Sequence, residues 1–218
     1  MSRELSAEEI RVLGCMVEKE ATTPDNYPLS SNALVNACNQ TTNRDPVVSY
    51  TERHVDGVVL ALREAGLART VRGDGQRVHK HKHVLREAWK VADPELALLS
   101  VLMLRGAQTV NELRTRTERY GVGLDATGVE QHLRALAARD EPLARLLERR
   151  AGEREARWIH LVGGEALAAA QTAAPPGADE SRARPVVRDE EIETLRRRVD
   201  ELSRRFDVLL ARLGEAID

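Results

Sequence analysis

The sequence predicts a mainly α chain with small β-hairpins (α+β): tandem winged-helix domains followed by a C-terminal coiled-coil helix. Three observations predict it. Residues 6–85 and 94–162 carry the same apolar spacing twice, hydroxyl–glutamate pairs stand where helices should begin, and a seven-residue apolar repeat occupies the last thirty positions. Ile10, Leu13 and Val17 correspond to Leu96, Leu99 and Met103, Leu34 corresponds to Leu113, and Val55, Val59 and Leu62 correspond to Val129, Leu133 and Leu136. The offset shrinks along the chain, so the first copy has the longer loops. A unit that recurs at fixed internal order is one supersecondary module used twice. The expected domains are 1–92, 93–164, an Ala/Pro-rich linker over 165–188, and a helix over 189–218.

In the first copy, Ser6 with Glu9 opens a helix to about Glu20. In such a box the hydroxyl accepts from the third helical amide and the carboxylate reaches back. A Pro-rich loop through Pro24 and Pro28 leads to a helix over about 31–39. A polar loop over 40–48 leads to a third helix over about 50–65, with Ser49 and Glu52 as its box. Gly66 stands where a left-handed terminating residue is needed. Residues 67–72 and 76–84 read as strands around Gly73-Asp74-Gly75, where glycine supplies the positive φ of a tight hairpin. In the second copy, Asp93-Pro94 places an acceptor and a proline at a helix start. Thr109 with Glu112 and Thr127 with Glu130 open helices over 110–119 and about 128–139. Residues 143–150 and 155–162 flank Ala151-Gly152-Glu153-Arg154; 143–150 reads either as a strand or as a helix extension.

From Gly163 to about Arg188 the composition turns to Ala, Pro and Gly, with 165–173 able to form a helix. Ile192, Val199, Phe206 and Leu213 then take one heptad seam position, and Leu195, Leu202 and Leu209 the other. Alternating steps of three and four form a coiled-coil seam, and β-branched residues opposite leucine favour a parallel dimer. A homodimer through this helix is the expectation; an amphipathic helix folding back on its own chain is the alternative.

Several function classes are set aside at this level. Formal net charge is −2, which gives no global attraction to nucleic acid or membrane. No apolar run is long enough to span a bilayer and no cleavable leader is evident, so a cytoplasmic protein is expected. Aromatics are only 3% of the chain, so the cores must be aliphatic. Cys15 and Cys38, both among apolar neighbours, read as buried free thiols rather than a redox pair. There is no phosphate-binding glycine loop, no paired-histidine zinc helix and no nucleophile elbow. No enzyme activity and no cofactor are expected.

Several strings resemble the YceH-like family of uncharacterised bacterial proteins: Arg11-Val12-Leu13-Gly14, Glu18-Lys19-Glu20-Ala21-Thr22-Thr23-Pro24, Tyr27-Pro28-Leu29-Ser30, Ala37-Cys38-Asn39-Gln40 and Asn43-Arg44-Asp45-Pro46-Val47. In the second copy Leu102-Met103-Leu104-Arg105-Gly106, Gln108-Thr109, Glu112-Leu113-Arg114, Gly152-Glu153-Arg154-Glu155 and His160-Leu161 resemble the same family. The resemblance spans about 5–162 and implies tandem winged helices with a C-terminal coiled coil, without implying a function. One departure is His81, where the resemblance implies an aromatic in the returning strand.

Winged helices commonly place the third helix in the major groove and the hairpin on the backbone. Arg69, Arg72, Arg77, Lys80, Lys82 and Arg86 share the first hairpin region with one acid, Asp74. The first five are expected to contact phosphates, releasing counterions. Arg53 and His54 on helix three, with Arg44 from the preceding loop, are expected to approach the groove. Gln131, Arg134 and Arg139 are their equivalents in the second copy. Glu52, Asp56 and Glu64 on the exposed side of helix three oppose this, since acids repel phosphate. His79, His81 and His83 alternate with Lys80 and Lys82, so the imidazoles share one strand face. No carboxylate or thiol completes a metal set, so no metal is expected, and the histidines should extend the cationic surface below neutral pH. The polar run from Asn39 to Arg44 could hold a small ligand or brace its own backbone. The leading expectation is a dimeric, non-enzymatic protein that binds double-stranded DNA as a transcriptional regulator. The rival is an adaptor whose winged helices bind another protein.

Overall fold

A computed structural model describes residues 3–72, 79–149 and 153–173. Their order is α1 (Ala7–Thr22), β1 (Leu29–Ser30), α2 (Ser31–Cys38), α3 (Glu52–Glu64), β2 (Ala68–Val71), β3 (Lys80–His83), α4 (Leu85–Trp89), α5 (Asp93–Arg105), α6 (Val110–Thr117), α7 (Ala126–Ala137), β4 (Ala144–Leu146), β5 (Trp158–His160) and α8 (Gly164–Ala173). Short 3-10 turns occupy Pro24–Asn26 and Glu118–Tyr120. The fold is therefore α+β, helix-rich with two small antiparallel sheets. The turns at Gly73-Asp74-Gly75 and Ala151-Gly152, and the whole heptad segment, lie outside the described residues.

Capping fixes several of these starts. Ser6 Oγ accepts from Glu9 N at 3.2 Å while Glu9 Oε2 accepts from Ser6 N at 2.9 Å. Thr109 and Glu112 repeat the exchange at 3.2 and 2.8 Å. Three other expected caps are corrected. α3 is capped by Thr51, whose Oγ1 accepts from His54 N, and not by Ser49. The loop explains the shift: Asn39 clamps Tyr50 with Nδ2 on its carbonyl oxygen (2.8 Å) and Oδ1 on its amide (2.7 Å), which holds Tyr50 outside the helix. α7 begins earlier than Thr127, because Asp125 Oδ1 takes Gly128 N at 2.7 Å. A carboxylate at a helix N-terminus is favoured over a hydroxyl further in, since it also meets the positive end of the dipole. At α5 the cap position is Ala92, with Asp93 already helical; Glu95 Oε2 accepts from Ala92 N at 3.0 Å.

The core is organised around α1. Every residue from Glu9 to Glu18 is buried, not only the stripe through Ile10, Leu13 and Val17. A helix is buried all round only when it has partners on opposite sides. Here α2 and α3 cover one side and α5 the other. The α1–α5 approach is close at Gly14, where an added Cβ would sit 2.9 Å from the Leu104 side chain. Ser100 Oγ donates to Gly14 O at 3.1 Å across the same seam. α5 is buried continuously from Leu96 to Leu104 in return. The first helices of the two copies thus share one aliphatic core, and Leu5 N donates to Val162 O at 3.0 Å, joining the start of the first copy to the end of the second.

α3 ends at Gly66, φ +72°, in the Schellman pattern: Gly66 N to Arg63 O at 3.0 Å and Leu67 N to Leu62 O at 2.9 Å. β2 and β3 then pair antiparallel with Arg69 opposite Lys82 and Thr70 opposite His81. The short strand β1, absent from the sequence reading, adds to the other edge of β3 with Leu29 opposite His81, giving the order β1-β3-β2. In the second copy the open choice at 143–150 resolves to a strand over Ala144–Leu146, paired with β5 and extended by a Gln108–Trp158 bridge. All three β5 residues, Trp158, Ile159 and His160, are buried. α8 forms within the stretch expected to be linker.

The loop over 40–48 is anchored by charge. Arg44 places Nη1 and Nη2 on the Glu18 carboxylate at 3.1 and 2.6 Å, and Nε on Ala37 O at 3.0 Å. Gln40 Oε1 and Asn43 O take further N–H groups at 2.8 Å each. Arg119, from the second copy, also donates to Glu18. The Arg44 and Glu18 side chains are 0% and 1% exposed. Arg11 crosses beneath the loop, donating to Cys38 O and Pro46 O.

Two stability outcomes follow from this interior. Arg44→Met leaves a buried carboxylate short of its main partner and should cost about 3–5 kcal/mol in urea unfolding. Arg134→Met, which breaks an exposed pair with Glu130, should cost under about 1 kcal/mol; equal losses would mean that the Glu18 cluster is not the anchor. The second concerns acid. His160 is buried with neither ring nitrogen hydrogen-bonded among the described residues, and burial holds its pKa down at about 4 against an ordinary 6.5. The neutral ring favours the fold, while the unfolded chain takes up the proton at higher pH. Its contribution is therefore intact above 6.5 and declines as pH falls from 6.5 to 4, by roughly 3 kcal/mol. Urea midpoints across that window should flatten in His160→Leu.

Candidate nucleic-acid interface

The β1-β3-β2 sheet has two chemically distinct faces, because successive side chains alternate. Ala68, His81 and His83 point inward and are buried. Arg69 is exposed on the other face, with Val71, Lys80 and Lys82 half-buried beside it. The two buried imidazoles are not a cationic surface, which corrects that expectation. His81 is tied at both nitrogens, to Thr70 Oγ1 at 3.1 Å and Ser31 Oγ at 3.2 Å, and Ser31 Oγ donates to Asp56 Oδ1 at 2.6 Å. Burial lowers the His81 pKa. His83 Nδ1 accepts from Leu85 N at 3.3 Å, which leaves the proton on Nε2, 3.0 Å from Glu20 Oε2. Burial alone would raise the Glu20 pKa; hydrogen bonds from His83 and Arg86 outweigh it and bring it down to about 2. His83 N donates to Tyr27 Oη at 2.9 Å. These contacts fix the sheet against α1, α2 and α3, so the outer face is held in place. The histidines diverge to separate partners, and no group of three or more potential metal ligands occurs among the described residues.

On the outer face Arg69 stands directly opposite Lys82, and Val71 opposite Lys80. Among the described residues no ion pair involves Arg69, Lys80, Lys82, Arg72 or Arg53; Arg72 Nη2 lies 3.3 Å from His79 Nε2. Arg77 lies outside the described residues. On α3, Val55, Val59 and Leu62 are buried and Glu52, Arg53, His54, Asp56, Leu60, Arg63 and Glu64 are exposed, as the 3.6-residue pattern predicts. His54 packs on Tyr50, ring centroids 4.7 Å apart. A shallow groove of about 660 Å³ lies between the start of α1 and α3, with Arg53, His54, Gly57 and Ala61 among its walls.

Arg44 does not belong to this surface. Its guanidinium is enclosed by Glu18, Ala37 O and Gln40, so it cannot approach a groove, and the role expected for it is withdrawn. The Asn39–Arg44 run braces the backbone, with Asn39 on Tyr50 and Gln40 on Arg44. Of the three second-copy residues expected to contact DNA, Gln131 alone is exposed and without a hydrogen bond or ion pair among the described residues. Arg134 is paired to Glu130 at 2.6 Å. Arg139 donates to the carbonyl oxygens of Trp89 and Lys90, so its fork joins the two copies and is not offered to a ligand. Ile192, Leu195, Val199, Leu202, Phe206, Leu209 and Leu213 lie outside the described residues. Cys15 and Cys38 are free and buried.

Arg44, which faces Glu18, was read as a groove contact, and the residues missed from sequence were Glu18 and Arg119. Their signal was a charged residue directly after the apolar positions Met16 and Val17 of a helix, within a string shared with the YceH-like family. No described helix is long and apolar enough to cross a membrane.

Residues 5–153 match a family described as "Protein of unknown function, DUF480". A UPF0502 protein from Pelobacter propionicus is 51% identical over 161 residues, covering 74% of this chain and 73% of its own length. A UPF0502 protein from Solibacter usitatus is 44% identical over 211 residues, covering 95% of this chain and 100% of its own. UPF0502 protein YceH from Salmonella newport is 42% identical over 224 residues, covering 99% and 100%. With more than half the chain matched and relatives this similar over nearly its full length, the chain belongs to the DUF480 (UPF0502) family.

Proposed function

We propose that this is a non-enzymatic protein that binds double-stranded DNA as a transcriptional regulator, with each helical copy and its hairpin acting as a winged helix and the heptad segment 192–213 joining two chains. The observation that carries the reading is the Arg69–Lys82 pair. Like charges directly opposite on adjacent strands destabilise a sheet. Here they stand together, without a carboxylate partner among the described residues, on a face whose reverse side is locked down. A phosphate backbone relieves that repulsion and releases its own counterions in doing so. Lys80 and Arg72 extend the strip, and Arg53 is the exposed cation at the start of α3.

A second reading, an adaptor for another protein, is favoured by one specific feature. Leu60 is 51% exposed on α3 between Asp56 and Glu64, a combination that suits a protein partner better than phosphate.

Fluorescence anisotropy with a mixed-sequence duplex separates the two. On the DNA reading affinity falls steeply with salt, and Arg69→Ala/Lys82→Ala weakens binding while flattening the log–log salt slope by about 2. Leu60→Ala leaves DNA affinity unchanged. Absence of binding by wild-type protein at low salt would overturn the regulator and leave the adaptor.

A further inference from the structure

The exposed face of α3 carries a pattern that the fold itself does not use. Along its outer ridge stand Arg53, Gly57, Leu60 and Glu64, at steps of four, three and four. That is the spacing of a coiled-coil seam. It lies on the side of α3 away from Val55, Val59 and Leu62, which fill the core. Leu60 is half exposed on this ridge. Nothing lies within 4 Å of a Cβ added at Gly57, and its backbone is not left-handed. Glycine in a helix interior costs stability relative to alanine. Neither a close neighbour nor a special φ accounts for it here.

The charges of this face are ordered along the helix. Arg53 and Asp56 stand in its N-terminal half, Arg63 and Glu64 in its C-terminal half. Arg53, Arg63 and Glu64 are exposed and have no ion pair among the described residues. Asp56 accepts from Ser31 Oγ through Oδ1, at 2.6 Å. Roughly 16 Å of helix separates Arg53 from Glu64, so the two cannot meet within one chain.

Against a second α3 running antiparallel, the same ridge is self-complementary. Arg53 then faces the partner's Glu64, and Gly57 faces the partner's Leu60. On the flank Asp56 faces the partner's Arg63. Each contact occurs twice about a two-fold axis. A parallel alignment would instead set every charge against its own counterpart. Unlike pairs in one direction and like pairs in the other specify the antiparallel arrangement.

We propose that α3 of one chain docks antiparallel on α3 of a second chain of this protein, Leu60 of each filling the space over Gly57 of the other. One helix against one helix falls below the roughly 1,200 Å² of a standard interface, so this contact is weak by itself. It is distinct from the heptad seam over 192–213. It does not rest on the nucleic-acid reading, because Arg69, Lys80 and Lys82 belong to the hairpin and only Arg53 is shared. Asp56 and Glu64, which oppose entry of α3 into a DNA groove, are paired in this contact.

The test is cross-linking of the full-length protein carrying Ala61→Cys, with a short bis-maleimide at low ionic strength. Ala61 flanks the seam, next to Leu60, and the native Cys15 and Cys38 are buried. A cross-linked dimer is expected. Arg53→Glu or Glu64→Arg, added singly, sets like charges together at both symmetric pairs and should cut the yield about fivefold or more. Mixing these two variants to equilibrium should restore the yield, because each supplies the charge that the other lacks. A folding defect does not produce that recovery. Gly57→Leu should abolish the cross-link while keeping a cooperative thermal transition, since the fold leaves room at that position. If that variant does not fold, the charge variants and their mixture decide. Arg134→Glu should leave the yield unchanged. No cross-link, or a yield indifferent to both charge variants as in a dimer joined only through 192–213, overturns the proposal.

Discussion

The fold depends on a carboxylate kept where water cannot reach it. Glu18 sits at the last buried turn of α1, and removing a carboxylate from water costs several kcal/mol unless the charge is matched and its lone pairs are filled. Arg44 matches it from the loop and Arg119 matches it from the second copy. One charge therefore fixes three pieces of chain that are distant in sequence. The loop in turn holds Asp45 N on Leu104 O at 2.8 Å, so the same anchor supports the α1–α5 seam at its far end. A hydrophobic residue in place of Glu18 would fill the space without specifying which loop conformation or which neighbour to take. The directional fork supplies that register, and the apolar contacts around Gly14 and Leu104 supply the bulk of the burial.

The hairpin sheet follows the same logic on a smaller scale. Its inner face is polar where an aliphatic one would be simplest: His81 and His83 are buried and fully engaged. Each imidazole has a defined tautomer set by its neighbours, an amide or hydroxyl on one nitrogen and a hydroxyl or carboxylate on the other. The sheet is thereby bonded to α1 and α2, and through Ser31 linked to Asp56 of α3. His81 takes the inward place that the YceH-like resemblance implies for an aromatic, and its links to Ser31 and Thr70 supply the positioning an aromatic would have achieved by packing.

Local chemistry was legible in the sequence and long-range geometry was not. The boxes at Ser6 and Thr109 and the stop at Gly66 need only residues within one turn of each other, and all three appear as read. The buried face of α3 also follows from spacing alone. Ser49 and Thr127 failed as caps because a nearby acceptor was better placed, Thr51 in one case and Asp125 in the other. β1 has two residues and exists only because β3 offers it an edge. Arg44 was misread for a related reason: a loop arginine beside polar residues resembles a ligand contact until its carboxylate, 26 residues earlier in the chain, is seen to face it. Arg139 was misread similarly, its acceptors being main-chain oxygens that leave no mark on composition.

The cations of this chain divide into those the fold consumes and those it leaves over, and the division differs between the copies. Arg11, Arg44, Arg119, Arg139 and Arg157 are bound to carbonyls or carboxylates that hold elements together. Arg53, Arg69, Lys80 and Lys82 have no such duty among the described residues, and all four belong to the first copy. In the second copy Arg134 is neutralised on its own helix, and β5, buried along its whole length, offers no open strand face. Arg149 and Arg154 stay exposed there without an ion pair among the described residues. On the proposed reading the duplicated unit is therefore not used twice for the same purpose. On that reading the first copy would present charge outward through Arg69 and Lys82, while the second is packed against it through α1 and α5.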